Sequence, residues 1–251
     1  MPVPKRRSLL VAALAAVPAA VLGGCGGGPP VEHVRVLHMN PGTILTKQTR
    51  SATTVRAALT TAAGPQLAPA MQVPQVGSVA AGAPNAGRLV NGLRLPATGP
   101  DWVTYDPILH AIPNRPERRW ATDRLLAFLL YVLRDYRLAN PGAPPLVIGD
   151  LSRPHGGPFG RAFGGLGHAS HQNGLDVDVY YPRVDRTLQP PGEVAHVDRG
   201  RAQDLVNRFV GAGAQFTFVG RHVGLGGPSP VVQAIAHHDD HVHVRIANLR
   251  R

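Results

Sequence analysis

The sequence predicts an α+β domain in which a small, mainly antiparallel sheet is flanked by helices and long loops. Three observations predict it. Two segments have apolar residues at helical spacing (121–140 and 200–214), and others alternate with period two or run apolar (145–152, 175–181, 215–220, 241–247). These segments follow one another in no regular βαβ order, which disfavours a parallel doubly wound sheet. Gly (29) and Pro (25) together exceed a fifth of the 251 residues, so the connections are extensive.

The chain opens MPVPKRRSLLVAALAAVPAAVLGGC. Lys5, Arg6 and Arg7 precede an apolar run from Leu9 to Leu22 that closes on small residues, the layout of an export signal over residues 1–24. The run falls short of the roughly 20 residues that cross a bilayer, and Pro18 interrupts it. Leu22-Gly23-Gly24-Cys25 resembles a bacterial lipobox, whose cysteine is acylated, and Cys25 is the one cysteine in the chain. The expected product is an exported lipoprotein, membrane-anchored and facing the periplasm or cell-wall space. Export proceeds by the general route or, through Arg6-Arg7, by the twin-arginine route. With no second cysteine, no internal disulfide forms. The net charge of +11 favours anionic partners. Export turns that preference from nucleic acid towards wall polymers and lipid headgroups.

Residues 26–75 are rich in Gly, Pro, Ala and Thr and read as a partly disordered tether, with a short strand within 31–39. The domain is expected over 76–251. Asn91-Gly92, flanked by alternating apolar residues, predicts a hairpin. In the helix over 121–140, Leu125, Leu129, Val132, Leu133 and Tyr136 form the apolar stripe, Thr122 is the N-cap, and Asn140-Pro141-Gly142 is the stop. PLVIGDLS (145–152) reads as a buried strand that leads into a Gly-rich loop. A second amphipathic helix covers 200–214, and QFTFVG (215–220) is a further strand.

Two short segments concentrate ionisable groups. In GHASHQNGLDVDVY (167–180), His168 and His171 precede the Gly174 turn, and Asp176, Asp178 and Tyr180 then share one face of a strand. In HHDDHVHVRI (237–246), His241, His243 and Arg245 share a face, with Val242, Val244 and Ile246 behind them. Two histidines and a carboxylate leave a fourth position open, which is a catalytic zinc pattern, and the lack of thiolates disfavours a closed structural site. A metal there polarises a carbonyl and acidifies water. A His-x-His pair is also common on exposed edge strands, so spacing alone leaves both readings open. Asp176 can orient a ligand histidine or bond to nearby backbone amides.

GHASHQNGLDVDV, IGDLSRPHGG and HHDDHVHVR together resemble the penicillin-insensitive murein endopeptidases. These belong with lysostaphin-type enzymes and D-Ala-D-Ala metallopeptidases among the zinc peptidases. The resemblance runs from Val76 to Arg251 and is poor between Tyr181 and Ala236. It implies zinc ligands His171, Asp178 and His243, with His168 lying against the metal. It implies His241 as general base or as the group stabilising the tetrahedral intermediate, and His238 as a further active-site histidine. His237, Asp239 and Asp240 have no such correspondence and read as loop residues that could also support the side chains nearest the metal. In related D-Ala-D-Ala enzymes an arginine near this strand end contacts substrate, so Arg153 is a candidate for a peptide carboxylate, with surface charge as the alternative. The family carries several cysteines in the mature domain, whereas this chain has none there.

The expected activity is zinc-dependent cleavage of D-Ala–meso-diaminopimelate cross-links in peptidoglycan stem peptides, insensitive to β-lactams because no serine nucleophile is used. The alternatives are a zinc D-Ala-D-Ala carboxypeptidase and a non-catalytic wall-binding lipoprotein. A nucleic-acid binder conflicts with the export signal.

Overall fold

A computed structural model describes residues 72–161 and 169–249, together with two short antiparallel strands, β1 (Val34–Arg35) and β2 (Thr49–Arg50). The residues expected to form an export signal, Cys25 and His168 lie outside the described residues. From residue 72 onward come β3 (Val79–Ala83), β4 (Ala86–Val90), β5 (Leu93–Arg94), β6 (Trp102–Thr104) and β7 (Trp120–Ala121). There follow α1 (Asp123–Ala139), β8 (Leu146–Ile148), β9 (Asp176–Tyr180), α2 (Arg199–Gly211), β10 (Phe216–Gly220), β11 (Val232–Ile235) and β12 (His241–Arg245).

The main sheet has six strands in the order β11-β10-β12-β9-β8-β6. Its three central pairings are antiparallel, and the pairing at each edge is parallel. The class is α+β, as the irregular element order predicts. Period-two alternation divides the central strands cleanly. Val177 and Val179 of β9 and Val242 and Val244 of β12 are fully buried in one cluster with Leu125, Leu129 and Leu133 of α1 and Leu205 and Phe209 of α2. Each such aliphatic side chain contributes roughly 1.5–3 kcal/mol by leaving water. The helices therefore occupy one face of the sheet, and the ionisable side chains of β9 and β12 are turned to the other.

Thr122 caps α1 by accepting from the Leu125 amide, and its hydroxyl donates to the Gly174 carbonyl. The cap thus ties the helix to the turn that launches β9. Phe128 and Phe209 stack between the two helices at 5.9 Å.

Asn91-Gly92 does not form the expected hairpin. β4 pairs instead with β3, across Pro84-Asn85, and β5 pairs with β7. Asn91 does take the left-handed conformation (φ 50°), but the buried Leu89 side chain packs against Gly92, and the chain bends away. The β3–β4 hairpin then braces the loops over the polar face. The Leu89 amide donates to the His155 carbonyl, Gly157 N to Gly87 O, and Gln172 N to Pro84 O.

Candidate metal centre

In the β9–β12 register His243 lies opposite Asp178, and Arg245 lies opposite Asp176. Cross-strand neighbours on one face stand close enough to touch, so two sequence-distant groups become partners by register alone. His171 arrives from the loop before β9 with φ 66°, a conformation uncommon for any residue but glycine. Its imidazole Nδ1 bonds to the Leu151 carbonyl at 2.9 Å, which turns Nε2 inward.

Three atoms then converge. His171 Nε2 is 3.2 Å from His243 Nδ1 and 3.3 Å from Asp178 Oδ1, and His243 Nδ1 is 3.1 Å from the same carboxylate oxygen. All three side chains are buried. Each histidine is oriented by its outer nitrogen: His171 Nδ1 donates to Leu151, and His243 Nε2 donates to Asp176 Oδ1 at 2.8 Å. Both inner nitrogens therefore present lone pairs, and they face an ionised carboxylate. Three acceptors within hydrogen-bond distance of one another repel unless a cation sits among them. The donor set of two imidazoles and a carboxylate suits zinc. Among the described residues this is the one group of three or more such side chains placed to share an ion.

The electrostatics point the same way. Burial opposes charge on Asp178, yet His171 and His241 outweigh it and hold the carboxyl well below its usual range. Burial likewise opposes charge on His243, but hydrogen bonds to Asp176 and Asp178 raise it to about 9. The cluster draws in positive charge, either as a proton or as a metal ion.

His241 stands beside the ligands, with Nε2 3.7 Å from Asp178 Oδ1 and Nδ1 bonded to Asp240 at 2.7 Å. Burial works against its charged form, but Asp178 and Asp240 prevail and raise its pKa. His238 packs against both neighbours, its ring 4.8 Å from His241 and 5.8 Å from His243. Its Nδ1 donates to the Ala236 carbonyl, and burial pushes its pKa down to about 4, so it is neutral at pH 7.

Asp176 accepts from His243 and also from Arg245 Nε, at 2.6 Å. Arg153 lies two residues after Leu151, and its guanidinium donates to the Pro158 carbonyl at 2.8 Å. Asp198 caps α2 and pairs with Arg201. Asp240, one of the loop residues expected to support the site, holds His241; two further groups were not assigned from the sequence. Leu151 supplies a carbonyl that no side-chain motif can reveal. Phe218 packs on His243 with ring centres 5.4 Å apart. Asp240 was visible as the residue preceding His241, and the alternation of Phe216 and Phe218 in β10 placed both rings on one face.

A model of the penicillin-insensitive murein endopeptidases matches residues 80–209, just over half of the chain. The chain belongs to this family. The matched stretch holds His171, Asp176 and Asp178 and ends before His238, His241 and His243, so the fold, not the family match, joins the second cluster to the first. The chain is also similar to penicillin-insensitive murein endopeptidases of Escherichia coli. It is 40% identical over 74 residues to that of strain O157:H7 EC4115 and 38% identical over 72 residues to that of O1:K1. Each alignment covers 29% of this chain and 23% of the relative, so the chain spans about a quarter of the length of the curated relatives it matches.

Proposed function

We propose that the protein is a zinc-dependent peptidoglycan DD-endopeptidase that hydrolyses D-Ala–meso-diaminopimelate cross-links and is insensitive to β-lactams. What carries the reading is the meeting of His171 Nε2, His243 Nδ1 and Asp178 Oδ1 within 3.3 Å of one another, with further histidines beside them. Family membership supplies the wall peptide as substrate class.

His171, Asp178 and His243 would hold the metal, which supplies Lewis acidity when bound, polarising a carbonyl and acidifying water. The remaining work falls to the chain. His241, held towards its charged form by Asp178 and Asp240, presents Nε2 to the developing oxyanion or to the leaving amine. His238, kept neutral with Nδ1 engaged by Ala236, offers Nε2 as a proton acceptor. Asp176 fixes the tautomer of His243. A purely structural site has no use for two spare imidazoles, which disfavours a non-catalytic wall-binding role. We further propose that the protein is an exported lipoprotein acylated at Cys25, with its +11 charge matched to an anionic wall.

The test is chemical. Purified protein should contain one zinc per chain and convert cross-linked muropeptide dimers to monomers in the presence of penicillin, and His171→Ala should do neither. A zinc-free wild-type protein that leaves dimers intact after metal addition overturns the proposal. Release of terminal D-alanine with dimers untouched would make it a carboxypeptidase instead.

A further inference from the structure

Tyr181 directly follows β9, and alternation turns its ring away from the polar face and into the core, where it is 2% exposed. Its hydroxyl nevertheless serves the chain beside the ligand cluster. Passing under the start of β12, it accepts from the Gly220 amide at the end of β10 and donates to the His238 carbonyl, each at 3.2 Å. The Tyr181 amide donates to the Asp240 carbonyl at 3.0 Å. One residue thus holds both ends of the segment 238–240, which leads into β12.

Gly220 completes the seat. A Cβ there would lie 2.6 Å from the His238 carbonyl oxygen and 2.5 Å from Asp239 Cα, so the segment rests directly on the glycine. On the outer side, Asp239 accepts from the His222 amide at 3.0 Å and bonds to its Nδ1 at 2.6 Å. The His222 side chain is 75% exposed, and water competes for that pair. The bonds of Tyr181 are the sheltered ones. The imidazole of His238 moves with this segment, because its Nδ1 is tied to the Ala236 carbonyl only two residues back. Its ring centre stands 4.8 Å from that of His241.

We propose that Tyr181 is a positioning residue for His238: from the core, its hydroxyl fixes the backbone that carries this imidazole beside the ligand cluster. The consequence for catalysis rests on the reading of His238 as a proton acceptor, whereas the placement itself depends on no substrate. A misplacement of about 1 Å costs up to about 100-fold in rate, so loss of one buried hydroxyl should act on turnover and leave metal and substrate binding in place.

The experiment uses the zinc-loaded full chain and a double-mutant cycle. Tyr181→Phe should lower kcat on cross-linked muropeptide dimers about tenfold, with zinc content retained and KM within about twofold of wild type. Added to His238→Gln, the same change should cost less than about twofold, because the residue through which it acts is gone. Gly220→Ala, which lifts the same segment and leaves the hydroxyl in place, should reproduce the loss, and it replaces Tyr181→Phe in the cycle should the Phe variant fail to fold. Equal losses in the presence and absence of His238 would reduce Tyr181 to a general structural role and overturn the proposal, as would an unchanged kcat. Placement is read separately, from the imidazole ¹H–¹³C signals of histidine-labelled protein. The His238 signal should shift or broaden in Tyr181→Phe, and an unmoved signal overturns the proposal without recourse to activity. A wild type that leaves dimers intact, beside a displaced His238 signal in the variant, would sink the hydrolase reading and leave the positioning of His238 standing.

Discussion

The candidate metal centre is made from two kinds of structure. Asp178 and His243 lie on adjacent strands, where alternation aims both side chains at one face and antiparallel register sets them opposite each other. His171 has no such lattice. Its backbone sits at positive φ, and its ring is aimed by the carbonyl of Leu151, twenty residues earlier. Around it the loop is stitched by Gly157 N to Gln172 O and by Gln172 N to Pro84 O. At Gly156, where φ is 71°, a Cβ would lie 2.1 Å from the Gln172 carbonyl. The strand half follows from the alternation within each strand and one antiparallel register. The loop half depends on several long-range contacts holding at once.

The largest test of that difference is aimed at the base of the loop. Arg118 and Asp150 form a fully buried ion pair, with Nε donating to Asp150 Oδ1 at 2.7 Å and Nη2 to Oδ2, and Asn114 also donates to Oδ1. Asp150 also accepts from the Asp178 amide through its backbone, and Leu151 N bonds to Arg118 O. Removing the cation strands a buried carboxylate beneath both halves of the site. Arg118→Met is expected to cost about 3–5 kcal/mol of stability, read from the urea midpoint. Zinc retention should fall with it through His171. A midpoint within about 1 kcal/mol of wild type would show that the loop is held by its backbone bonds alone.

The strand half is probed by Asp176→Asn, which keeps an acceptor for His243 and removes the charge. Zinc affinity should drop about 10- to 100-fold with little change in unfolding midpoint. Unchanged affinity in competition with a chromophoric chelator would mean that strand register alone orients His243.

The same division explains how far the sequence could be read. DVDVY and HVHVR carry their burial pattern in their alternation, and the stripe of α1 and its Thr122 cap follow from residues within a few positions of one another. So the α+β class, both helices and the face shared by Asp176, Asp178, His241 and His243 were legible. The convergence of His171 on that face was implied by family resemblance, because its guide is a backbone carbonyl that leaves no mark in residue type. Asn91-Gly92 misled for a related reason. The dipeptide encodes a reversal, but the burial of Leu89 and the pairing of β5 with β7 decide which strands it joins. The buried Arg118–Asp150 pair was invisible, since both residues look like surface charges until the fold encloses them.

The smallest effect separates the two halves by titration. His238 stands on the loop entering β12, and burial lowers its pKa from 6.5 to about 4, more than offsetting the Ala236 carbonyl that favours its charged form. A cation at the ligand cluster adds repulsion in the same direction. Because the folded state resists protonation, the unfolded chain binds more protons between these values, and stability falls as pH drops from 6.5 towards 4. His238 is partly open to water, so the contribution is discounted to about 1 kcal/mol, a shift of about 2–4 °C in the melting temperature of a chain of this size. His238→Gln should remove that share of the acid loss, and the difference between the two melting curves at pH 5 isolates it from the carboxylates that titrate in both. Identical acid limbs for the two proteins would place His238 in free exchange with solvent. It would then lose the neutral form that suits it to accept a proton beside the metal.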